Sequence, residues 1–225
     1  MLKVAVIDYD SGNVRSVQRA LQHAAGTDFA EVEITSDAAK IQAAQAVVFP
    51  GQGAAGQSMR NLRQSGLDQV VIEQIQSGKP FMGVCVGLQL LFTHLEENDT
   101  LGLGVVEGEV PRFRFDSSAS AGTNNSTQTQ ERLKVPQIGW NRVRQVGRPS
   151  LLWEGVPNDS YFYFVHSYYA APASDTDIIG LSDYGPDFCS AVARDNWFGT
   201  QFHPEKSGSV GLRVYANFLR FAATC

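Results

Sequence analysis

Two short strings, far apart in the chain, carry the residue types of thiol chemistry. The first is Gly83-Val84-Cys85-Val86-Gly87, which follows an apolar run and opens a helical pattern. It has the form of the G-x-S-x-G elbow with sulfur in place of oxygen. A strand-to-helix turn of this kind holds its nucleophile in a strained backbone conformation, and the flanking glycines remove Cβ clashes there. The helix N-terminus beneath it would favour a thiolate. A free thiol is only about 3% ionised at pH 7, so that help matters. The second string is Gly199-Thr200-Gln201-Phe202-His203-Pro204-Glu205, at the end of a strand signal. In extended geometry Glu205 lies on the same side as His203, so its carboxylate can fix the imidazole tautomer. Cys85, His203 and Glu205 thus supply a candidate nucleophile, base and orienter. His23 has no carboxylate at helical spacing, and His94 before Glu97 reads as a helix-surface pair.

A third string, Phe49-Pro50-Gly51-Gln52-Gly53-Ala54-Ala55-Gly56, closes another apolar run. Glycine-rich turns let backbone N–H groups point into a site. An N–H from Gln52 or Gly53, with that of Val86, would make an oxyanion hole. The phosphate-loop signature G-x-x-x-x-G-K-[ST] is absent.

These strings need a frame to bring them together. In the first half, strand and helix signals alternate. Leu2 to Asp8, Glu31 to Thr35, Ala46 to Phe49 and Pro80 to Val84 read as strands. Asn13 to Ala25, Leu67 to Gln76 and Gly87 to Glu97 read as helices. Such alternation implies a parallel sheet covered on both faces, with the glycine turn on a strand beside the elbow strand. The second half reads mostly as strands joined by Gly, Pro, Asn and Asp turns, closed by a helix from about Val210 to Ala222. The fold class is therefore α/β: a mostly parallel central sheet flanked by helices, with additional antiparallel strands in the second half.

The chain has 225 residues, 43% hydrophobic and 18% charged, with a net charge of −5. That composition supports one sizeable core and excludes general disorder. The acidic balance argues against a protein built to grip nucleic acid. No stretch approaches a membrane span, and the short N-terminal apolar run is not a signal peptide. Cys85, Cys189 and Cys225 are odd in number and form no C-x-x-C pair, so neither a metal site nor a disulfide framework is indicated. A reducing, cytoplasmic setting fits this usage. Cys189 reads as core and Cys225 as a frayed terminus. Asp116 to Glu131 holds 16 residues, 7 of them Ser or Thr and 4 Asn or Gln, and reads as a disordered polar loop inserted in a single domain of residues 1–225.

Taken together, the elbow, the P-G-x-G turn and the late H-P-E resemble the class I, triad-type glutamine amidotransferases. More narrowly, the chain resembles the glutaminase subunits of imidazole glycerol phosphate synthase. The strings Asp8 to Asn13, Val135-Pro136-Gln137-Ile138-Gly139-Trp140-Asn141, Tyr163 to Tyr168 and Gly199 to Ser207 carry that closer likeness. The resemblance implies that Cys85 attacks the side-chain amide of glutamine, with His203 as base and Glu205 as orienter. Backbone N–H groups of Gln52, Gly53 and Val86 would hold the oxyanion. Gly51, Gln89, Glu97, His166, Ser167 and Tyr168 would surround the substrate, Gln89 and Glu97 from one side of a single helix. Asn13, Trp140, Tyr163 and Lys206 would meet a (β/α)₈ cyclase partner, forming a heterodimer that receives the ammonia, and no cofactor is implied. Gln137 stands where this family commonly has a histidine. Two other readings stay open: a glutaminase serving another synthase, and a docking module without catalysis.

Overall fold

The computed structural model describes residues 1–115 and 133–225, so the polar segment Asp116 to Glu131 lies outside the described residues. The first half runs β1 (Leu2–Ile7), α1 (Val14–Ala25), β2 (Ala30–Thr35), α2 (Ala38–Ala43), β3 (Ala46–Gly51), α3 (Ala55–Gln64), α4 (Leu67–Gln76), β4 (Phe81–Cys85) and a single turn, α5 (Val86–Gln89). Then follow β5 (Phe92–Leu95), β6 (Thr100–Leu101), β7 (Val106–Val110), β8 (Gln137–Gln145), β9 (Ser160–His166) and β10 (Ala171–Pro172). The chain ends with β11 (Ile178–Asp183), β12 (Asp187–Arg194), β13 (Trp197–Thr200) and α6 (Gly208–Ala222). None of the helices described is long and apolar enough to cross a membrane.

One nine-stranded sheet, in the order β2-β1-β3-β4-β13-β12-β11-β8-β9, forms the body of the molecule. From β2 to β13 all neighbours are parallel. From β13 to β9 all are antiparallel. The change of direction falls between β13 and β12, one strand from β4, the elbow strand. Every residue of β3 and β4 is buried, as an apolar strand covered on both faces requires. In α6, Val214, Tyr215, Phe218, Leu219 and Ala222 are buried at helical spacing, and α6 packs against α1. A second, four-stranded sheet, β10-β7-β5-β6, lies alongside.

That second sheet corrects the reading of Gly87 to Glu97 as one helix. The helix stops after Gln89, and Phe92–Leu95 is a strand. Leu88, Leu90, Leu91 and Phe92 are all fully buried, so the segment has no polar face for a surface helix to present. Instead the chain folds back on itself: Gly102 N–H bonds the Thr93 carbonyl, Leu103 N–H that of Leu90, and Val106 N–H that of Leu91. His94 consequently pairs not with Glu97 but with Asp99, 2.8 Å away.

Candidate active site

The two glycine-bearing strings meet because β3 and β4 are parallel neighbours in register, Gly51 opposite Cys85. Cys85 caps β4 with φ 55° and ψ −113°, the strained conformation an elbow needs. The close approach of the two strands explains two glycines. A Cβ on Gly87 would lie 1.8 Å from the Phe49 carbonyl oxygen, and one on Gly51 would lie 2.7 Å from the Gly87 nitrogen. The Tyr9 hydroxyl donates to the Pro50 carbonyl and pins the glycine turn from below (3.0 Å). Because α5 is only one turn, its dipole contributes less beneath Cys85 than a longer helix would.

His203 reaches Cys85 from β13, the strand on the other side of β4. Its Nδ1 lies 2.7 Å from Glu205 Oε1. This contact forms across a 3₁₀ turn, Pro204–Lys206, rather than along an extended strand; proline preorganises the turn, and Lys206 N–H closes it on the His203 carbonyl. Two partners of Glu205 escaped the sequence reading. Asn13 Nδ2 donates to Oε1 (2.6 Å), and the Tyr215 hydroxyl donates to Oε2 (3.1 Å). Asn13, expected on a docking face, thus spends its amide on the inner carboxylate.

The electrostatics follow from this packing. Burial pushes Glu205 toward its neutral form, but the bonds from His203 and Asn13 outweigh it and hold the carboxyl below its ordinary range. Burial likewise opposes charge on His203. The Cys85 sulfur and Glu205 win, raising the imidazole to about 10. With Nδ1 committed to Glu205, the buried Nε2 has no hydrogen-bond partner. The arrangement therefore leaves Nε2 as the open position of His203 that can take a proton from the nucleophile.

One cavity of about 650 Å³ gathers the expected oxyanion residues Gln52, Gly53 and Val86 and most of the expected substrate residues, Gln89, Glu97, His166, Ser167 and Tyr168, with Cys85 and His203. Gly51 sits just behind, in the β3–β4 ladder. Glu97 arrives from the loop after β5, not from the elbow helix, and accepts the Ala55 N–H at the start of α3. Gln89 is almost wholly buried. His166 is buried as well, with Nδ1 2.7 Å from the Tyr168 carbonyl and Nε2 2.8 Å from Gln137 Oε1. Desolvation lowers it to about 4, so it stays neutral near pH 7. Gln137 therefore has a definite partner in His166.

Trp140 and Tyr163 face each other across β8 and β9 with ring centroids 6.1 Å apart, and Lys206 Nζ lies 5.8 Å from the Tyr163 ring. Lys206 also borders the cavity. Trp140 is 56% exposed, and Ile138 beside it, not foreseen, is 63% exposed. Alternation along β8 alone would have found Ile138.

Comparison with known proteins identifies the family. The family model for glutamine amidotransferase class-I matches residues 5–221. The chain belongs to that family. Among individual members, it is 48% identical to the imidazole glycerol phosphate synthase subunit HisH of Aromatoleum aromaticum, over 99% of this chain and 100% of that protein. It is also 48% identical to the HisH of Methylococcus capsulatus, over 98% and 97%. More distant solved structures share the fold: PurLQS from Thermotoga maritima gives a TM-score of 0.69 at 16% identity, covering 98% of each chain.

Proposed function

We propose that this amidotransferase is a single-domain glutaminase that supplies ammonia to the cyclase subunit of an imidazole glycerol phosphate synthase. Near-complete coverage by HisH proteins at 48% identity supports that assignment over other synthases. The observation that carries the chemistry is the His203–Glu205 pair at 2.7 Å, with the unpartnered His203 Nε2 and Cys85 lining the same cavity. Cys85 Sγ, its proton held on His203 Nε2, attacks the side-chain amide carbon of glutamine. The backbone N–H of Val86, with that of Gln52 or Gly53, receives the oxyanion. His203 returns the proton to the leaving nitrogen, ammonia departs, and water hydrolyses the glutamyl thioester to glutamate and free thiol. Glu97 meets the substrate ammonium, and Gln89, His166, Ser167 and Tyr168 line its path.

The partner is a (β/α)₈ barrel in a heterodimer, docked on the aromatic edge of Trp140, Tyr163 and Lys206. It uses the ammonia to form imidazole glycerol phosphate and an aminoimidazole carboxamide ribotide in histidine biosynthesis. The test is glutamine hydrolysis with and without that partner and its ribulosyl ligand. Hydrolysis should rise strongly in the complex. Cys85→Ala should abolish it, by roughly 10⁴-fold or more, while ammonia-dependent cyclase activity persists. Full hydrolysis by the isolated chain, or loss of both activities in the variant, would overturn the reading.

A further inference from the structure

A side chain other than His203 lies against the Cys85 sulfur, from a residue inside the Gly199 to Glu205 string to which that string gives no role. Gln201 follows β13 two residues before His203 and is completely buried. A buried primary amide must find partners for both ends. Its Nε2 lies 3.8 Å from Cys85 Sγ, and its Oε1 accepts from Gln89 Nε2 at 3.1 Å. Gln89 Nε2 also donates to the Tyr168 carbonyl at 3.0 Å.

The direction of this relay is dictated by the backbone. A carbonyl oxygen can only accept, so Tyr168 forces the nitrogen end of Gln89 toward itself. The second hydrogen of that nitrogen then requires an oxygen opposite it, which sets the Gln201 amide with its oxygen toward Gln89. The nitrogen of Gln201 is left aimed at sulfur. Reversing Gln201 would oppose two N–H groups and press a carbonyl oxygen against the nucleophile. Its backbone cannot readily turn away either, because Gln201 N–H bonds the Ser190 carbonyl of β12 (2.9 Å).

We propose that Gln201 is a catalytic residue that donates a hydrogen bond to the Cys85 thiolate, with its polarity set through Gln89 by the Tyr168 carbonyl. The inference rests on Cys85 being the nucleophile. At 3.8 Å the contact is long and worth little to a neutral thiol. Negative charge on sulfur strengthens it and draws the donor in. Sulfur carries that charge twice: when His203 has taken the thiol proton, and when the thioester collapses and Cys85 leaves. One donor serves both moments, and no proton leaves Gln201 in either.

The test is alkylation of the full chain by iodoacetamide across pH, with each cysteine followed by mass spectrometry. Cys225 is exposed at the terminus and serves as an internal standard. In Gln201→Leu the Cys85 profile should move to higher pH by about one unit, about tenfold slower on the rising limb, while the Cys225 profile stays in place. Gln201→Glu can still accept from Gln89 but turns an anion toward sulfur, so it should move the profile further in the same direction. Packing damage alone would change the rate at all pH values without displacing the midpoint. An unmoved Cys85 midpoint in both variants would overturn the proposal. Assaying the wild-type complex after alkylation separates the two readings: glutaminase activity that survives modification of Cys85 would sink the nucleophile assignment instead.

Discussion

The cavity is built from two regions that handle burial in opposite ways. At the parallel end of the sheet, β4 and β13 deliver Cys85 and His203 from fully buried strands, and burial there is used to hold charge. Three donors converge on Glu205, and His203 is driven up to about 10. At the opposite edge, β9 delivers His166 into the same cavity, and burial there keeps an imidazole neutral, at about 4. The difference lies in the partners. His203 has a carboxylate on Nδ1 and a sulfur beside it; His166 has a backbone carbonyl and an amide. β9 also alternates, with Phe162 and Phe164 inward and Tyr161 and Tyr163 outward, so one strand lines the cavity and shapes the outer edge. The comparison teaches that depth alone does not set a histidine's charge; the group on its second nitrogen does.

The comparison can be broken most severely at the parallel end. Gly87→Ala places a methyl group against the Phe49 carbonyl oxygen, where only backbone movement can relieve the overlap. It should cost more than about 4 kcal/mol, read as a large fall in Tm. Glu205→Gln keeps the shape but removes the charge that orients His203. Hydrolysis in the complex should drop roughly 10³-fold in kcat, whereas Tyr215→Phe, removing one donor of three, should cost only a few-fold.

The opposed titrations give a sharper test. His166 has an ordinary value of 6.5 and a folded value of about 4. As pH falls from 6.5 toward 4, the unfolded chain gains a proton that the native state refuses, so stability is lost, by up to about 3 kcal/mol. His203 has the reverse sign: its contribution is full below 6.5 and is lost as pH rises toward 10. Urea melts between pH 7 and 5 should therefore show acid destabilisation that is reduced in His166→Phe. Equal acid sensitivity in both proteins would contradict the neutral assignment. The smallest effect belongs to the outer edge. Trp140→Ala should change stability by no more than about 0.5 kcal/mol, yet weaken partner binding measured by calorimetry about tenfold or more.

Much of this was legible in the residues. The elbow, the glycine turn and the H-P-E string are local motifs whose chemistry is set by neighbours in sequence, and the apolar runs of β1, β3 and β4 announce buried parallel strands. The segment after the elbow was misread because a buried apolar stretch has no period that separates helix from strand, and only its pairing with β6 and β7 decides between them. Asn13 and Glu205 lie 192 positions apart, and Gln201 and Cys85 116 apart, so no spacing could join them.

The sequence by itself determined which groups can do chemistry and the turn geometry around the thiol, because short-range sterics and strand pattern are written in adjacent residues. Only the tertiary structure decided the charge each buried group carries and the direction of the amide relay. Those depend on which acceptor or carboxylate the completed sheet places on the far side of each side chain.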